Sequence, residues 1–225
     1  IGTGNYNSNT SKFYTDLGLL STDPDIASDL LELFNYLSGF SKQKSYQKLL
    51  VSPSSMRKKF IFLIKREIKN AEEGKKAEII AKMNSLVDPE IIKLLYLASE
   101  TGVKISLIIR GICCLYPQKK NLSENIKVIS IIGHFLEHSR IFWFCNNGDN
   151  EVFIGSADWM RRNLDRRIEA VTPIEDYELK SKIYTLLQTY IKDNYFSWIM
   201  KDDGSYSKYE LDSSHNRSQI DLIEK

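Results

Sequence analysis

Ile1-Gly2-Thr3-Gly4-Asn5-Tyr6 returns far down the chain as Ile154-Gly155-Ser156-Ala157-Asp158-Trp159. Both copies read Ile-Gly, a hydroxyl residue, a small residue, Asn or Asp, then an aromatic. Six positions alone are a weak match, and the residues after each copy strengthen it. Residues 15–20 and 166–171 both read as short strands leading into a capped amphipathic helix. In the first copy Asp23 is the expected N-cap with Pro24 at the first helical position, and Ile26, Leu30, Leu33 and Leu37 keep helical spacing until Gly39. In the second, Leu179, Ile183, Leu186, Leu187, Tyr190 and Ile191 do the same. The chain therefore reads as the tail of one repeat over 1–45, a complete second repeat over 46–197, and a polar, aperiodic and loose tail over 198–225. The first residue is not Met and no strand precedes the opening turn, so a fragment lacking its upstream part is expected.

Within the second repeat the spacing predicts a strand at 48–52 and a helix from Met56, with Phe60, Ile64, Ile68 and Ala71 on one face, stopped at Gly74. A strand at 77–86 follows, then a helix capped by Asp88-Pro89 that runs through Ala98 and ends at Gly102. Further strands are expected at 103–109, 126–132, 140–144 and 152–155. Alternation of this kind predicts an α/β layered domain with a mostly parallel sheet. Most aromatics, among them Phe60, Phe62, Trp143 and Trp198, are expected in the core.

The 225 residues are enough for a full hydrophobic core, and 42% hydrophobic against 27% charged residues is the balance of a folded, water-soluble chain. A formal net charge of +2 is too small to drive non-specific nucleic-acid binding, so any affinity for polyanions is local. Cys113 and Cys114 are adjacent and Cys145 stands alone, which gives neither a disulfide framework nor zinc-ligand spacing and suits a reducing cytoplasm. The most apolar stretch, 105–116, contains Arg110 and is shorter than a membrane span. No signal peptide is read, and the chain has no P-loop, no G-x-G-x-x-G and no H-E-x-x-H.

Of three histidines, His215 falls in the tail. His138 precedes a strand that returns through a hairpin at Asn146-Asn147-Gly148 to the Gly155-Ser156-Ala157-Asp158 turn. A lone histidine is often a hydrogen-bonded structural residue, but this arrangement brings imidazole, Arg140 and turn donors near one point where a phosphoryl group could sit. His134 lies four residues earlier and could share a helical face with His138; a surface role is the alternative. Arg110 ends an apolar strand, where open α/β sheets bind ligands, and its planar fork suits phosphate oxygens. The alternative for Arg110 is pairing with a nearby carboxylate. Arg161 and Arg162 read as a solvated face, Arg167 could join the site, and Arg166 should point the opposite way. Tyr14 is a weak candidate on pattern alone.

At these residues the sequence resembles the carboxy-terminal catalytic region of the polyphosphate kinases, which are built on a phospholipase-D-like pair of repeats. Eight motifs carry the likeness in order, from residue 1 to about 198. They are Ile1-Gly2-Thr3-Gly4-Asn5-Tyr6-Asn7, Tyr14-Thr15-Asp16-Leu17-Gly18-Leu19-Leu20, Leu50-Val51-Ser52-Pro53, Lys82-Met83-Asn84-Ser85-Leu86-Val87-Asp88, Arg110-Gly111-Ile112-Cys113 and Leu122-Ser123-Glu124-Asn125-Ile126. The last two are Phe135-Leu136-Glu137-His138-Ser139-Arg140 and the run from Ser156-Ala157-Asp158-Trp159-Met160 through Arg162-Asn163-Leu164-Asp165-Arg166-Arg167.

The resemblance implies an α/β phospholipase-D-like fold and reversible transfer of the terminal phosphate of ATP to inorganic polyphosphate through a phosphohistidine. The phosphorylated histidine lies in a His-x-Lys segment upstream of this chain. By matching position Tyr14, Arg110 and His138 contact ATP, with His138 catalytic, and Arg167 and Arg140 are further phosphate contacts. Magnesium is the implied cofactor, with ligands upstream and none in this chain. ATP or ADP and polyphosphate are the implied partners, in a cytoplasmic homo-oligomer with no nucleic acid, no transmembrane segment and peripheral membrane association left open. Three departures stand out: His138-x-Arg140 replaces His-x-Lys, and Tyr116 and His134 stand where family members often carry Arg. The rival readings are a phospholipase-D-type phosphodiesterase or nuclease, and a non-catalytic module that binds nucleotide or polyphosphate.

Overall fold

Two aspartates close the first turns of the two helices that the repeat predicts. In the computed structural model, which describes residues 1–40, 45–209 and 215–223, a short strand β1 (Tyr14–Thr15) precedes helix α1 (Pro24–Leu37). The Asp23 carboxylate accepts the amides of Asp25 and Ile26 with Pro24 in the first turn, so free N–H groups at the helix start are satisfied. The part of the 1–45 stretch at 41–44 lies outside the described residues.

The remaining elements are strand β2 (Leu50–Ser52), helix α2 (Met56–Glu72), strand β3 (Glu78–Met83), helix α3 (Pro89–Glu100), and strands β4 (Lys104–Ile109) and β5 (Ile126–Ile131). Next come strands β6 (Leu136–Glu137), β7 (Arg140–Phe144) and β8 (Glu151–Gly155), helix α4 (Arg161–Asp165), strand β9 (Glu169–Ile174) and helix α5 (Tyr177–Ile191). The chain closes with strands β10 (Ser197–Met200) and β11 (Tyr206–Lys208) and helix α6 (Ser218–Asp221). Asp176 caps α5 through the Leu179 amide.

The caps also set the register of the duplication. Asp23 and Asp176 are 176 − 23 = 153 residues apart, the same separation as Ile1 and Ile154, 154 − 1 = 153. Matching residues 15–20 to 166–171 is therefore two positions out of step, and Asp16 corresponds to Glu169. Neither stretch is one continuous strand: the first contains β1 and a single bridge between Gly2 and Gly18, and in the second pairing begins at Glu169.

Nine strands form one sheet in the order β11-β10-β5-β4-β3-β7-β8-β9-β2. The sheet is mixed rather than mostly parallel, because only β3–β4 and β4–β5 are parallel among its pairings. The connection from β7 to β8 is a short turn through Asn146–Gly148, and a link of that length can only return a strand antiparallel. Alternating side chains serve two apolar layers. Ile79, Ala81 and Met83 of β3 join the cluster holding Phe60, Leu63 and Ile64 of α2 and Ile91 and Leu95 of α3. Ile80 joins Ile108, Trp143, Val152 and, from α5, Leu187 and Tyr190. The result is helix, sheet, helix.

Phe60 and Trp143 are in this core, while Trp198 is only partly buried. Phe62 is not a core residue: it lies on the outer side of α2, 56% exposed, with the Lys59 ammonium 5.3 Å from its ring centre. Residues 201–225 are not uniformly loose either. β11 extends the sheet beside β10, and Ser218 and Gln219 of α6 are buried, although 210–214 and 224–225 lie outside the described residues. Polar side chains hold this segment, so hydrophobic periodicity could not reveal it.

One buried cap ties three helices. The Asp88 carboxylate, 1% exposed, accepts the Ile91 amide and meets the Arg57 guanidinium at 2.6 Å, while Arg57 also reaches Asp165 at 2.6 Å and Glu90 at 3.0 Å. Burial acts to raise the Asp88 carboxyl, but Arg57 and the helix amides outweigh it and hold it below its ordinary value. A depressed carboxyl contributes stability that is complete above its unfolded value and lost as pH falls through the lower folded one. Asp88→Asn, which can still cap α3, therefore lowers unfolding free energy by about 1–3 kcal/mol at neutral pH. Urea titrations at several pH values check this, and the gap from the unmodified protein closes below about pH 4.

Candidate active site

The short parallel pairing of β1 with β6 brings the two halves together. Tyr14 lies opposite Leu136 and Thr15 opposite Glu137, and the Thr15 carbonyl accepts the amides of both His138 and Ser139. Residue 138 then faces the opening turn of the chain, where Asp16 awaits it. His138 Nδ1 is 2.9 Å from Asp16 Oδ1 and 3.1 Å from Oδ2. An ionised carboxylate only accepts, so Nδ1 carries the proton, and in the neutral ring the lone pair belongs to Nε2.

Asp16 is fixed in turn by Thr3, whose hydroxyl donates to Oδ1 at 2.7 Å. Burial works to raise the Asp16 carboxyl, yet the bonds from His138 and Thr3, with the charge of Arg140, hold it below the usual range. Gly4 is required beside it: a Cβ there would lie 2.2 Å from Asp16 Oδ2. The duplication repeats this device, since the Ser156 hydroxyl donates to Glu169, which also receives the Asn163 amide. In both copies the hydroxyl and the acid are 13 residues apart.

Arg140 closes the other side of the imidazole. Its Nη1 sits 3.0 Å from His138 Nε2 and donates to the His138 carbonyl at 2.9 Å and the Thr3 carbonyl at 3.3 Å, while Nε meets Asp158 at 3.3 Å. Asp158 also accepts the Asn84 amide at 2.8 Å, which ties the second turn to the end of β3. The Tyr14 ring lies 4.9 Å from the His138 ring, tilted by 43°.

Arg110 stands just beyond the carboxyl end of β4, where the sequence places it. Its partners are the Asn84 side-chain oxygen at 3.0 and 2.9 Å and the Glu137 carbonyl at 3.2 Å. None of these is a carboxylate, and among the described residues Arg110 makes no ion pair, so its charge is aimed without being neutralised. Tyr14 walls two cavities. One of about 510 Å³ is lined by the opening turn with Tyr6 and Asp16, and the other of about 440 Å³ by Phe13, Arg110, His134 and Phe135.

Comparison with known proteins decides what this site belongs to. Residues 1–43 match the family model described as polyphosphate kinase C-terminal domain 1, and residues 49–219 match polyphosphate kinase C-terminal domain 2. The chain belongs to the polyphosphate kinase family. A polyphosphate kinase of Parasynechococcus marenigrum is 59% identical over the whole chain, which spans 32% of that relative's length. The crystal structure of polyphosphate kinase from Porphyromonas gingivalis superposes with a TM-score of 0.95 at 39% identity, over the whole chain and 35% of its own. The chain thus spans about a third of the relatives it matches. Nuc, a phospholipase D family member from Salmonella typhimurium, superposes at a TM-score of 0.46 and 16% identity over 73% of this chain.

For this member of the polyphosphate kinase family, the structure gathers Tyr14, His138, Arg140 and Arg110 around the junction of β1 and β6. Among the described residues no hydrogen bond or ion pair ties the Arg167 side chain to this group. Arg167 follows α4 with an exposed side chain, as does Arg166, so the two do not divide between inner and outer faces. Arg161 and Arg162 are exposed as expected. His134 does not share a helical face with His138, because the segment between them is loop and strand. Its ring meets Phe196 edge-on at 5.6 Å, and the residue is exposed. His215 packs against Tyr195 at 5.9 Å, and Tyr116 is 46% exposed with Lys119 beside its ring.

Asp16, Asn84 and Glu169 are the site residues that pattern reading missed. The 153-residue offset would have set Asp16 against Glu169 and marked both. Among the described residues no three His, Cys, Asp or Glu side chains converge on a point where they could hold a metal ion, so no magnesium ligand set is assigned to this chain. No helix among them is long and apolar enough to cross a membrane.

Proposed function

We propose that the chain is the carboxy-terminal part of an enzyme that reversibly transfers the terminal phosphate of ATP to inorganic polyphosphate. The reading rests on one observation above the rest: an imidazole whose Nδ1 proton is fixed by the Asp16 carboxylate, with the Tyr14 ring and the Arg140 guanidinium against it, built from both halves of a duplication. Such a group can take up a proton at Nε2 and, as the imidazolium held beside Asp16, pass it to a departing phosphate oxygen or stabilise its charge.

In this scheme a histidine upstream of residue 1 attacks the terminal phosphorus of ATP, an N–P bond forms as the P–O bond breaks, and ADP leaves. The terminal oxygen of polyphosphate then takes the phosphoryl group and the N–P bond breaks. His138 serves the leaving oxygen, Arg110 holds phosphate oxygens, and Tyr14 packs against the nucleotide. Arg140 contributes chiefly by shaping His138, since its Nε and Nη1 are already engaged, and Arg167 reaches phosphate only from the rim. By the repeat offset Glu169 would orient the upstream histidine as Asp16 orients His138. Magnesium, when bound with ATP, supplies charge neutralisation at the phosphates. We place the whole enzyme in the cytoplasm as a homo-oligomer.

The test compares the whole polypeptide with the 225-residue segment, each incubated with labelled ATP and magnesium. Label enters polyphosphate only with the whole polypeptide. Stable protein-bound phosphate on the segment alone, or release of nucleotide from a phosphodiester by the whole protein without chain growth, overturns the proposal.

A further inference from the structure

Glu137 and Ser139 flank His138 and point the opposite way, into the protein, with 3% and 2% exposure. The burial of 137 and 139 on either side of a partly exposed 138 makes the three residues one device: whatever grips 137 and 139 from behind sets where 138 points in front. The grip comes from three remote parts of the chain. The Lys82 ammonium of β3, 1% exposed, lies 3.0 Å from Glu137 Oε2 and donates to Ser139 Oγ at 2.8 Å. The Thr15 hydroxyl of β1 donates to Glu137 Oε2 at 2.9 Å. The Gln219 amide of α6 donates to Glu137 Oε1 at 2.7 Å.

Gln219 does more than fill a vacant acceptor. Its oxygen accepts the Phe135 amide at 3.1 Å and its nitrogen donates to the Phe135 carbonyl at 2.9 Å, so one side chain pairs with the backbone as a strand would. Gly133 leaves the space it needs, since a Cβ there would lie 2.3 Å from the Gln219 oxygen. The helix that carries Gln219 is fixed independently. The wholly buried Asp193 accepts the Ser218 amide at 2.7 Å and its hydroxyl at 2.6 Å.

A buried ion pair returns little net stability compared with well-packed apolar residues of the same volume. What a fully bonded polar cluster supplies is a single geometry. Burial pushes the Lys82 ammonium down while Glu137 acts the other way, and burial beside Glu137 raises the Tyr190 hydroxyl, so the cluster is closed to water on its inner side.

We propose that Glu137, gripped by Lys82, Thr15 and Gln219, is a further positioning residue of His138 beside Asp16, and that Gln219 couples helix α6 to phosphoryl transfer. The proposal rests on the phosphotransfer function proposed for the whole enzyme. Neither residue touches the reacting atoms; both act through the direction of the imidazole.

The test uses the whole kinase. Gln219→Met keeps the length of the side chain and strands no buried charge. It is expected to lower kcat about tenfold or more with KM for ATP within about twofold, the usual cost of losing a group that orients a functional side chain. Gln219→Glu faces Glu137, Lys82 and Tyr190, with Asp16 and Arg140 beyond them. It recovers kcat as pH falls and the introduced carboxyl takes up a proton, which the Met substitution cannot reproduce. The paired change Lys82→Met with Glu137→Leu removes both charges at once, and is expected to fold and to lose kcat with KM kept. In protein carrying 15N-histidine, the Nδ1–H resonance of His138 shifts in each impaired variant. A kcat within about twofold of the unmodified enzyme in Gln219→Met and in the paired change, or losses that vanish when scaled to the folded fraction, overturns the inference. If the unmodified enzyme transfers no phosphate, the function proposal fails instead, and the His138 resonance still reads whether the grip sets the ring.

Discussion

His138→Ala is expected to reduce phosphoryl transfer by the whole enzyme by about two to four orders of magnitude, the usual contribution of a positioned proton donor or acceptor. The size follows from what remains. Arg110 keeps its bonds to Asn84 and the Glu137 carbonyl, and neither depends on the imidazole, so phosphate oxygens are still met by a guanidinium. Tyr14 loses one ring neighbour at 4.9 Å but stays paired through β1. Nucleotide affinity therefore falls much less than turnover. Calorimetry with ATP beside a steady-state assay reads the split, and a turnover within about tenfold of the unmodified enzyme would remove His138 from the chemistry.

Asp16→Asn carries the second large effect, about a hundredfold or more in turnover, because it changes which ring nitrogen bears the proton. An asparagine can present its NH₂ to Nδ1 and turn that nitrogen into an acceptor, which moves the proton to Nε2 and removes the lone pair from the working edge. A triad protease that suffers the same exchange loses activity by a comparable mechanism. The pH dependence is distinctive. Asp16 is held below the usual carboxylate range, so its bond to His138 is intact above about pH 4 and is lost only as pH falls through the lower folded value. The Asp16 carboxylate should thus stay ionised from about pH 5 to 9 and add no titration of its own to the deficit. A turnover within about tenfold of the unmodified enzyme at neutral pH would mean that Asp16 does not set where the ring carries its proton.

Sequence pattern reached far into this fold, and it stopped at identifiable places. Asp23-Pro24 and Asp88-Pro89 mark helix starts because capping chemistry is local and the same residues perform it in the structure. The sheet was harder. Strand periodicity records which residues are buried but not which strand lies beside which, so of the antiparallel run β7-β8-β9-β2 only the β7–β8 pairing could be foreseen, from the shortness of its link. His138 and Arg110 stood out as candidates because a histidine near a hairpin and an arginine at a strand end are unusual placements, and the structure brings both to the β1–β6 junction. Asp16 did not stand out, since it resembles any loop acid until its fixed distance from Thr3 is set beside that of Glu169 from Ser156. The closing segment was misjudged because Asp193, Ser218 and Gln219 secure it by hydrogen bonds, which leave no hydrophobic trace.

The bond between Asp16 and His138 joins residues 122 positions apart, in two different copies of the duplicated unit. The placement of that histidine is consequently shared. A change in the earlier copy can turn a ring encoded in the later one, and neither copy can be transplanted alone with this geometry. Doubling followed by mutual dependence has made an indivisible instrument out of two formerly equivalent parts.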